Sequence, residues 1–235
     1  KDINVRIPHI AVIGTDEFDL FMETNNLWEF SLSTNNNILI EHRFLKARLS
    51  RTLIKKLKTY LININYPIAV RSSSLLEDSQ YQPFAGLYST FMLPNNAKNL
   101  KTRLSHLCES IKRIYASTFY QDPKSVMHTT SSRQEEEKMA ILIQELVGQR
   151  YKNRFYPTFS GVSQSINYYP ISYLKREDGI AFVALGFGKT IVEGEKSLRF
   201  CPIYPDILPQ YYSIKSTISN SQNHFYALKM DSKNN

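Results

Sequence analysis

Two apolar segments separated by a charged loop constrain the fold of this 235-residue chain most strongly. The first runs through Ala69 and Val70 into Arg71, three serines and an acidic pair. The chain then returns through a glycine turn into a second segment that ends near Phe91. The first segment has the pattern of a buried strand, and in the second apolar residues alternate with polar ones. The sequence therefore predicts a β-hairpin built around a charged loop.

Arg71 stands in surroundings that suit a phosphate contact. A guanidinium forms bidentate, charge-assisted hydrogen bonds to phosphate, and serine hydroxyls and N–H groups can complete the site. Gly86 would let the backbone approach such a ligand closely. Local composition by itself favours the alternative, a surface turn in which Arg71 pairs with Glu77 or Asp78. These two acids are either a metal-adjacent pair or, as we expect, a helix N-terminal cap.

Several segments match one known family in the same order along the chain. The hairpin resembles the signature of the N-terminal nucleotide-binding domain of pyruvate phosphate dikinase and phosphoenolpyruvate synthase, a domain that rifampin phosphotransferases and glucan water dikinases also carry. Together these matches cover most of the chain and are far more specific than a single glycine motif. The further matching stretches are residues 7–16, 139–147, and 160–165 followed by 184–194.

The resemblance implies an ATP-grasp-like α+β fold, in which two lobes with mixed or antiparallel sheets and flanking helices hold a nucleotide between them. Residues 1–130 would form the N-terminal lobe with the Arg-Ser-Ser hairpin, and residues 131–235 an incomplete second lobe. Without the resemblance, the patterns indicate only mixed α and β structure. The strands predicted for the second sheet are 139–147, 160–168, 180–185 and 197–201.

The resemblance also implies roles for particular residues. Arg71 matches the arginine that reaches the nucleotide phosphates, and as the catalytic residue it would stabilise their charge. Gly86 and Thr90 match the glycine and threonine that face the phosphate tail. A third group matches the strand end that meets the adenine, where backbone groups bond the base edge. The alternative for that segment is a plain core strand. The residues of this strand end are Gln144, Glu145 and Val147.

Hydropathy and the few cysteines indicate the compartment. No apolar run is long enough to cross a bilayer and we find no secretory leader, so we expect a cytoplasmic protein without a membrane partner. Cys108 and Cys201 fall in helix-like and strand-like segments and are expected to be buried, reduced thiols. The histidines lie far apart in sequence, and no metal ligands are predicted.

A net charge of +8 raises the question of a nucleic-acid partner. We predict that the densest basic stretch forms a helix whose apolar residues, from Phe44 to Leu61, face inward and whose charges line the outer face. Because no aromatic or glycine residues of a nucleic-acid platform are interleaved with them, we expect a solvated face and no nucleic acid. The cations are Arg43, Lys46, Arg48, Arg51, Lys55, Lys56 and Lys58.

Two departures from the family pattern bear on activity. Where relatives have Gly-Leu-Gly-Glu, this chain has Gly186, Phe187, Gly188 and Lys189. A lysine thus replaces the family's glutamate. The family's lysine-bearing segment and its metal-binding strands are expected outside these residues. Phosphoryl transfer depends on such positioning groups and cations. We therefore expect a truncated piece of a longer protein that does not turn over alone.

The leading hypothesis is the ATP-binding part of a phosphotransferase similar to pyruvate phosphate dikinase or phosphoenolpyruvate synthase. In the complete protein, the resemblance implies that ATP with Mg²⁺ phosphorylates a histidine on a separate domain. The implied partners are thus ATP, the phosphohistidine domain and the acceptor-substrate domain. Lys189 motivates an alternative, a regulatory ATP-grasp module that binds nucleotide without transferring phosphate.

Overall fold

The chain folds into two compact units. The structure, a computed structural model, describes residues 3–74, 88–129, 137–171 and 174–231. The first unit runs to Leu146, and the second spans Val147–Asp231. The sequence placed the boundary earlier, between residues 130 and 131. The two divisions differ because the strand after residue 139 belongs to the sheet of the first unit.

A four-stranded antiparallel sheet forms the centre of the first unit. Its strands are β1 (Ile10–Ile13), β2 (Ile68–Ser73), β3 (Thr90–Leu93) and β4 (Ala140–Glu145), in the order β1-β4-β2-β3. The predicted pairing of the Arg71 strand with the strand that contains Thr90 is confirmed. We expected β4 in a second sheet, and that placement is wrong. β4 lies between β1 and β2 and hydrogen-bonds to both, because its alternating Ile141 and Ile143 extend the apolar face of this sheet.

Helices cover one face of that sheet. A cluster of aromatic rings from three of these helices fills the core beneath them, with Phe18, Phe21, Phe44 and Tyr115 at most 2% exposed. This contiguous core ties the helices to the buried side of the strands. The helices are α1 (Thr15–Thr24), α2 (Trp28–Ser33), α3 (Asn37–Lys46), α4 (Arg51–Asn63), α5 (Leu100–Ser117) and α6 (Gln121–Thr129).

The basic segment forms two helices rather than the single helix predicted. α3 ends at Lys46, and α4 begins only at Arg51. The Ser50 hydroxyl accepts a hydrogen bond from the Leu53 N–H at 3.0 Å, which satisfies a donor in the first turn of α4. Ala47 and Leu49, between the helices, are buried. The chain bends here because the break lets both residues pack inward.

The second unit contains two three-stranded antiparallel sheets. Its elements are β5 (Gln149–Tyr151), β6 (Arg154–Tyr156), β7 (Phe159–Gln164), β8 (Ile180–Leu185), α7 (Lys189–Val192), β9 (Leu198–Phe200), α8 (Ile214–Asn220) and β10 (Leu228–Lys229). One sheet has the order β10-β6-β5 and the other the order β7-β8-β9. The strands expected near residues 160–168, 180–185 and 197–201 are confirmed as β7, β8 and β9, whereas β5, β6 and β10 were not predicted.

The chain is thus a mixed α/β protein with antiparallel sheets. In the part that the structure describes, no helix has the length and apolar character needed to span a bilayer. Both cysteines are free thiols: Cys108 is partly buried in α5, and Cys201 is buried just after β9. Burial raises the pKa of the Cys108 thiol, although the nearby Lys112 ammonium opposes the shift.

Candidate functional site

The face of the four-stranded sheet opposite the helices carries Arg71 and Thr90, two of the three residues predicted to contact phosphate. Arg71 pairs directly with Thr90 on β3 and with Leu142 on β4, and Leu142 pairs with Val12 on β1. Directly paired residues in antiparallel strands point to the same side. Arg71 and Thr90 are both exposed, and Val12 is 64% exposed. These four residues therefore lie side by side across the sheet. We call the side of the sheet on which they lie the open face.

A second row lies next to the first on the same side of the sheet. Ile10 pairs with Gln144, which pairs with Ala69, which in turn pairs with Met92. Side chains two positions apart in a strand share a face, so this row also belongs to the open face. Ile10 is 53% exposed and Gln144 is partly exposed. The open face thus places apolar side chains and an amide beside a guanidinium and a hydroxyl.

Arg71 has no carboxylate within ion-pair distance among residues 3–74, 88–129, 137–171 and 174–231. A guanidinium on an exposed strand, next to a threonine hydroxyl, can accept an anionic ligand bidentately. Gly86 and the proposed acidic partners, Glu77 and Asp78, lie outside the described residues. The predicted roles of these three residues therefore stay predictions.

Glu145 lies on the other side of the sheet from Gln144. His9 Nδ1 is 2.6 Å from Glu145 Oε2, and the His9 N–H donates to the same oxygen at 3.3 Å. Arg6 is 3.9 Å from the second carboxylate oxygen. Burial acts to raise the pKa of Glu145, but the hydrogen bonds from His9 and the charge of Arg6 outweigh it, so the pKa is lowered. The carboxylate is thus engaged by the segment that precedes β1.

Val147 is the first residue of the second unit and is 61% exposed. The structure therefore brings Arg71, Thr90 and Gln144 onto one face, whereas Glu145 points to the opposite side of the sheet. Sequence reasoning did not find the contact between His9 and Glu145, because 136 positions separate the two residues. Only the antiparallel pairing of β1 with β4 makes them neighbours.

The glycine-rich segment of the second unit leads into a polar cluster that sequence reasoning also missed. Lys189 lies 3.4 Å from Glu193 and 4.7 Å from the centre of the Tyr226 ring. The Tyr226 hydroxyl donates to Glu195 at 2.7 Å, and His224 Nε2 lies 3.0 Å from the same carboxylate. The hydrogen bond from Tyr226 contributes most to lowering the pKa of Glu195, and it raises the pKa of Tyr226 to about 12.

These placements can be compared with known proteins. The family model described as "Pyruvate phosphate dikinase, AMP/ATP-binding domain" matches residues 1–233. The chain belongs to this family. Its members are nucleotide-binding domains by that description, and the match extends across both compact units. The resemblance read from the hairpin and the other ordered segments is therefore confirmed.

One curated relative of this dikinase-family domain is the "Uncharacterized phosphotransferase YvkC" of Bacillus subtilis (strain 168). The two are 30% identical over 191 residues, which is 80% of this chain but 20% of the Bacillus protein. The domain therefore spans about a fifth of that relative's length. The family description names an AMP/ATP-binding domain, and the description of the Bacillus protein names a phosphotransferase.

The described residues of the domain do not form a metal cage. No group of three or more His, Cys, Asp or Glu side chains converges on a metal-sized site in the part of the chain that the structure covers. Mg²⁺ in nucleotide sites commonly takes most of its ligands from phosphates and water. The described residues thus contain no complete ligand set for the ion.

Proposed function

We propose that this domain binds ATP on the open face of its first unit, with the phosphate tail over Arg71 and Thr90. The observation that carries the proposal is the direct pairing of these two exposed residues across β2 and β3, on the side of the sheet opposite the helix-covered core. Membership of an AMP/ATP-binding family supports ATP as the nucleotide. Mg²⁺ would arrive with the phosphates.

The neighbouring row supports a place for the base. Ile10 and Met92 offer apolar surface, and Gln144 between them offers an amide that can donate and accept hydrogen bonds. Adenine has a flat apolar face and a polar edge, which match these two kinds of contact. Val147 would cover the base from the following segment, as the family resemblance implies. Because the Glu145 carboxylate already contacts His9 and Arg6, the proposal gives Glu145 a structural role at the end of β4.

In the longer protein to which such a domain belongs, the bound ATP would phosphorylate a histidine on a separate domain. Arg71 would stabilise charge on the phosphates as the bond to the leaving group breaks. This step is carried over from the family, and the relative's description as a phosphotransferase supports it. The ATP-grasp arrangement of two lobes around the nucleotide belongs to the same proposal.

Titration of the chain with MgATP by calorimetry tests the site. Arg71→Ala should weaken binding by about 1–3 kcal/mol, the usual contribution of a hydrogen bond to a charged group. The matched control is Arg51→Ala, which removes an exposed arginine on the helix-covered side and should leave the affinity unchanged. Equal affinities for the wild type and Arg71→Ala would refute the assignment of Arg71.

A second candidate is a regulatory domain that binds nucleotide without transferring phosphate. Lys189 replaces an acidic residue of the family. Its contacts with Glu193 and the Tyr226 ring favour this candidate, because they hold the ammonium group in a structural role. Incubating the longer protein with labelled ATP and assaying for phosphohistidine separates the candidates. A labelled histidine would exclude the regulatory role.

A further inference from the structure

Nearly all the net positive charge of the chain comes from one segment of the first unit. Of 29 Lys and Arg residues, seven lie between positions 43 and 58, leaving 22 cations against 21 acids elsewhere. No acidic residue occurs between Glu41 and Glu77. The net charge of +8 thus falls to +1 when this one segment is set aside. We call the seven cations, defined above from Arg43 to Lys58, the basic surface.

The fold exposes every cation of the basic surface. All seven side chains are exposed, and within the described residues none forms an ion pair with a carboxylate. Arg43 has a local partner, the ring of Phe30, whose centre is 5.7 Å from its guanidinium carbon. The sequence favoured a merely solvated face. The structure adds that no carboxylate of residues 3–74, 88–129, 137–171 or 174–231 forms an ion pair with these cations.

The outer side of α4 has the chemistry of a phosphate-binding surface. A shallow groove along it is lined by the ammonium groups of two lysines and by the polar side chains of Thr52, Thr59 and Asn63. Arg51, Lys55 and Lys58 follow one side of the helix over about 10 Å, a distance over which one DNA strand places about three phosphates. The groove residues are Thr52, Lys55, Lys56, Thr59, Tyr60 and Asn63.

We propose that the basic surface binds the phosphate backbone of a double-stranded nucleic acid without sequence preference. Single-stranded binding would need exposed rings on which bases stack, but the one aromatic side chain of α4, Tyr60, is only partly exposed and its hydroxyl is buried. Insertion into a lipid bilayer would need a continuous apolar face. Leu53, Leu57 and Leu61 of α4 are at most 4% exposed in the core, and the exposed Ile54 and Ile62 are two separate side chains two turns apart. The cations and polar side chains on the outer side of α4 match the phosphate groups of a nucleic-acid backbone.

The basic surface is separate from the proposed ATP site. The apolar side of α4 belongs to the same core as Val70 and Ile143, which point to the helix-covered side of the sheet. Arg71 and Thr90 are on the open face. Loss of one function should therefore leave the other intact, and the two proposals can fail independently.

Fluorescence anisotropy with a short labelled DNA duplex at several salt concentrations tests the inference. We expect binding at low salt, with a slope of log affinity against log salt of roughly −3 to −6. The double variant Lys55→Glu/Lys58→Glu should weaken binding by roughly tenfold or more and reduce the slope by about two. Its MgATP affinity and thermal unfolding should match those of the wild type.

The matched control is Lys98→Glu/Lys215→Glu, which changes the net charge equally at two exposed lysines away from the basic surface. This variant should keep most of the duplex affinity. Equal losses in both double variants would overturn the inference, because net charge rather than the basic surface would then govern binding. No duplex binding at low salt, or tighter binding to phosphatidylserine vesicles than to the duplex, would overturn it as well.

Discussion

At the scale of single residues, Glu145 shows how a carboxylate near the proposed site is held. Its oxygens are contacted by His9 and Arg6, and its own N–H donates to the His9 carbonyl at 2.8 Å. The side chain is 18% exposed, so these contacts are partly shielded from water. Side chain and backbone together fasten the end of β4 to the segment before β1.

Glu145→Gln should destabilise the protein by about 1 kcal/mol at neutral pH, because the neutral amide loses the charged hydrogen bonds. A carboxyl whose folded pKa is lowered stabilises the fold above its ordinary pKa, and this contribution disappears as the pH falls through the folded pKa. The difference between wild type and variant should thus shrink as the pH falls below the ordinary glutamate value of 4.5. Urea unfolding at a series of pH values measures it.

The control for this prediction is Glu23→Gln, because Glu23 is exposed and has no ion pair among the described residues. Its stability should follow the wild type at every pH. A difference for Glu145→Gln that stays constant down to the most acidic sample would contradict the assigned cause.

A second residue-scale prediction concerns Lys124, which is 5% exposed. Its ammonium donates to the carbonyls of Ser31 at 2.5 Å and Thr34 at 2.6 Å, at the C-terminal end of α2. Burial lowers the pKa of Lys124. Lys124→Met keeps the aliphatic stem but leaves these carbonyls without their donor, so the free energy of unfolding should fall by about 1–3 kcal/mol.

Chemical unfolding at pH 7 measures this change, with the exposed Lys98→Met as its control. Equal stabilities of the two variants would mean that water replaces the Lys124 ammonium at no cost.

At the scale of elements, burial and capping decide where helices and strands begin and end. The basic segment has a nearly continuous apolar stripe, and for that reason it was predicted as one helix. The structure breaks it, because Ser50 caps α4 and also donates to Glu17 of α1 at 2.9 Å. That second contact crosses between helices and could not be read from local spacing.

The strand β4 illustrates the same limit for sheets. Its apolar pattern predicts a strand correctly, since Ile141 and Ile143 alternate with less buried residues. The pattern does not say which strands are its partners. β4 pairs with β1 and β2, which precede it by more than 60 residues, and this long-range pairing sets which residues share the open face.

At the scale of the whole molecule, the position of β4 predicts where the chain can be divided. A polypeptide of residues 1–146 retains all four strands and the aromatic core of the first unit, so it should unfold cooperatively. A polypeptide of residues 1–130, which ends at the boundary predicted from sequence, lacks β4. Its β1 then has no strand to pair with in the sheet, and buried side chains such as Ile141 are lost.

Circular dichroism during thermal unfolding distinguishes the two polypeptides. We expect a sigmoidal transition for residues 1–146 and a gradual, non-cooperative change for residues 1–130. Similar cooperative transitions for both would show that β4 is dispensable for the first unit and would favour the earlier boundary.

The sequence by itself determined the family, the pairing of the Arg71 strand with the strand that contains Thr90, and most of the strands, because these depend on local patterns and ordered motifs. Tertiary structure alone decided the position of β4, the break between α3 and α4, and the partner of Glu145. It also decided that seven neighbouring cations are left without ion-pair partners among the described residues. The physical reason is that pairing and burial join residues far apart in the chain, whereas sequence patterns report only the preferences of neighbouring residues.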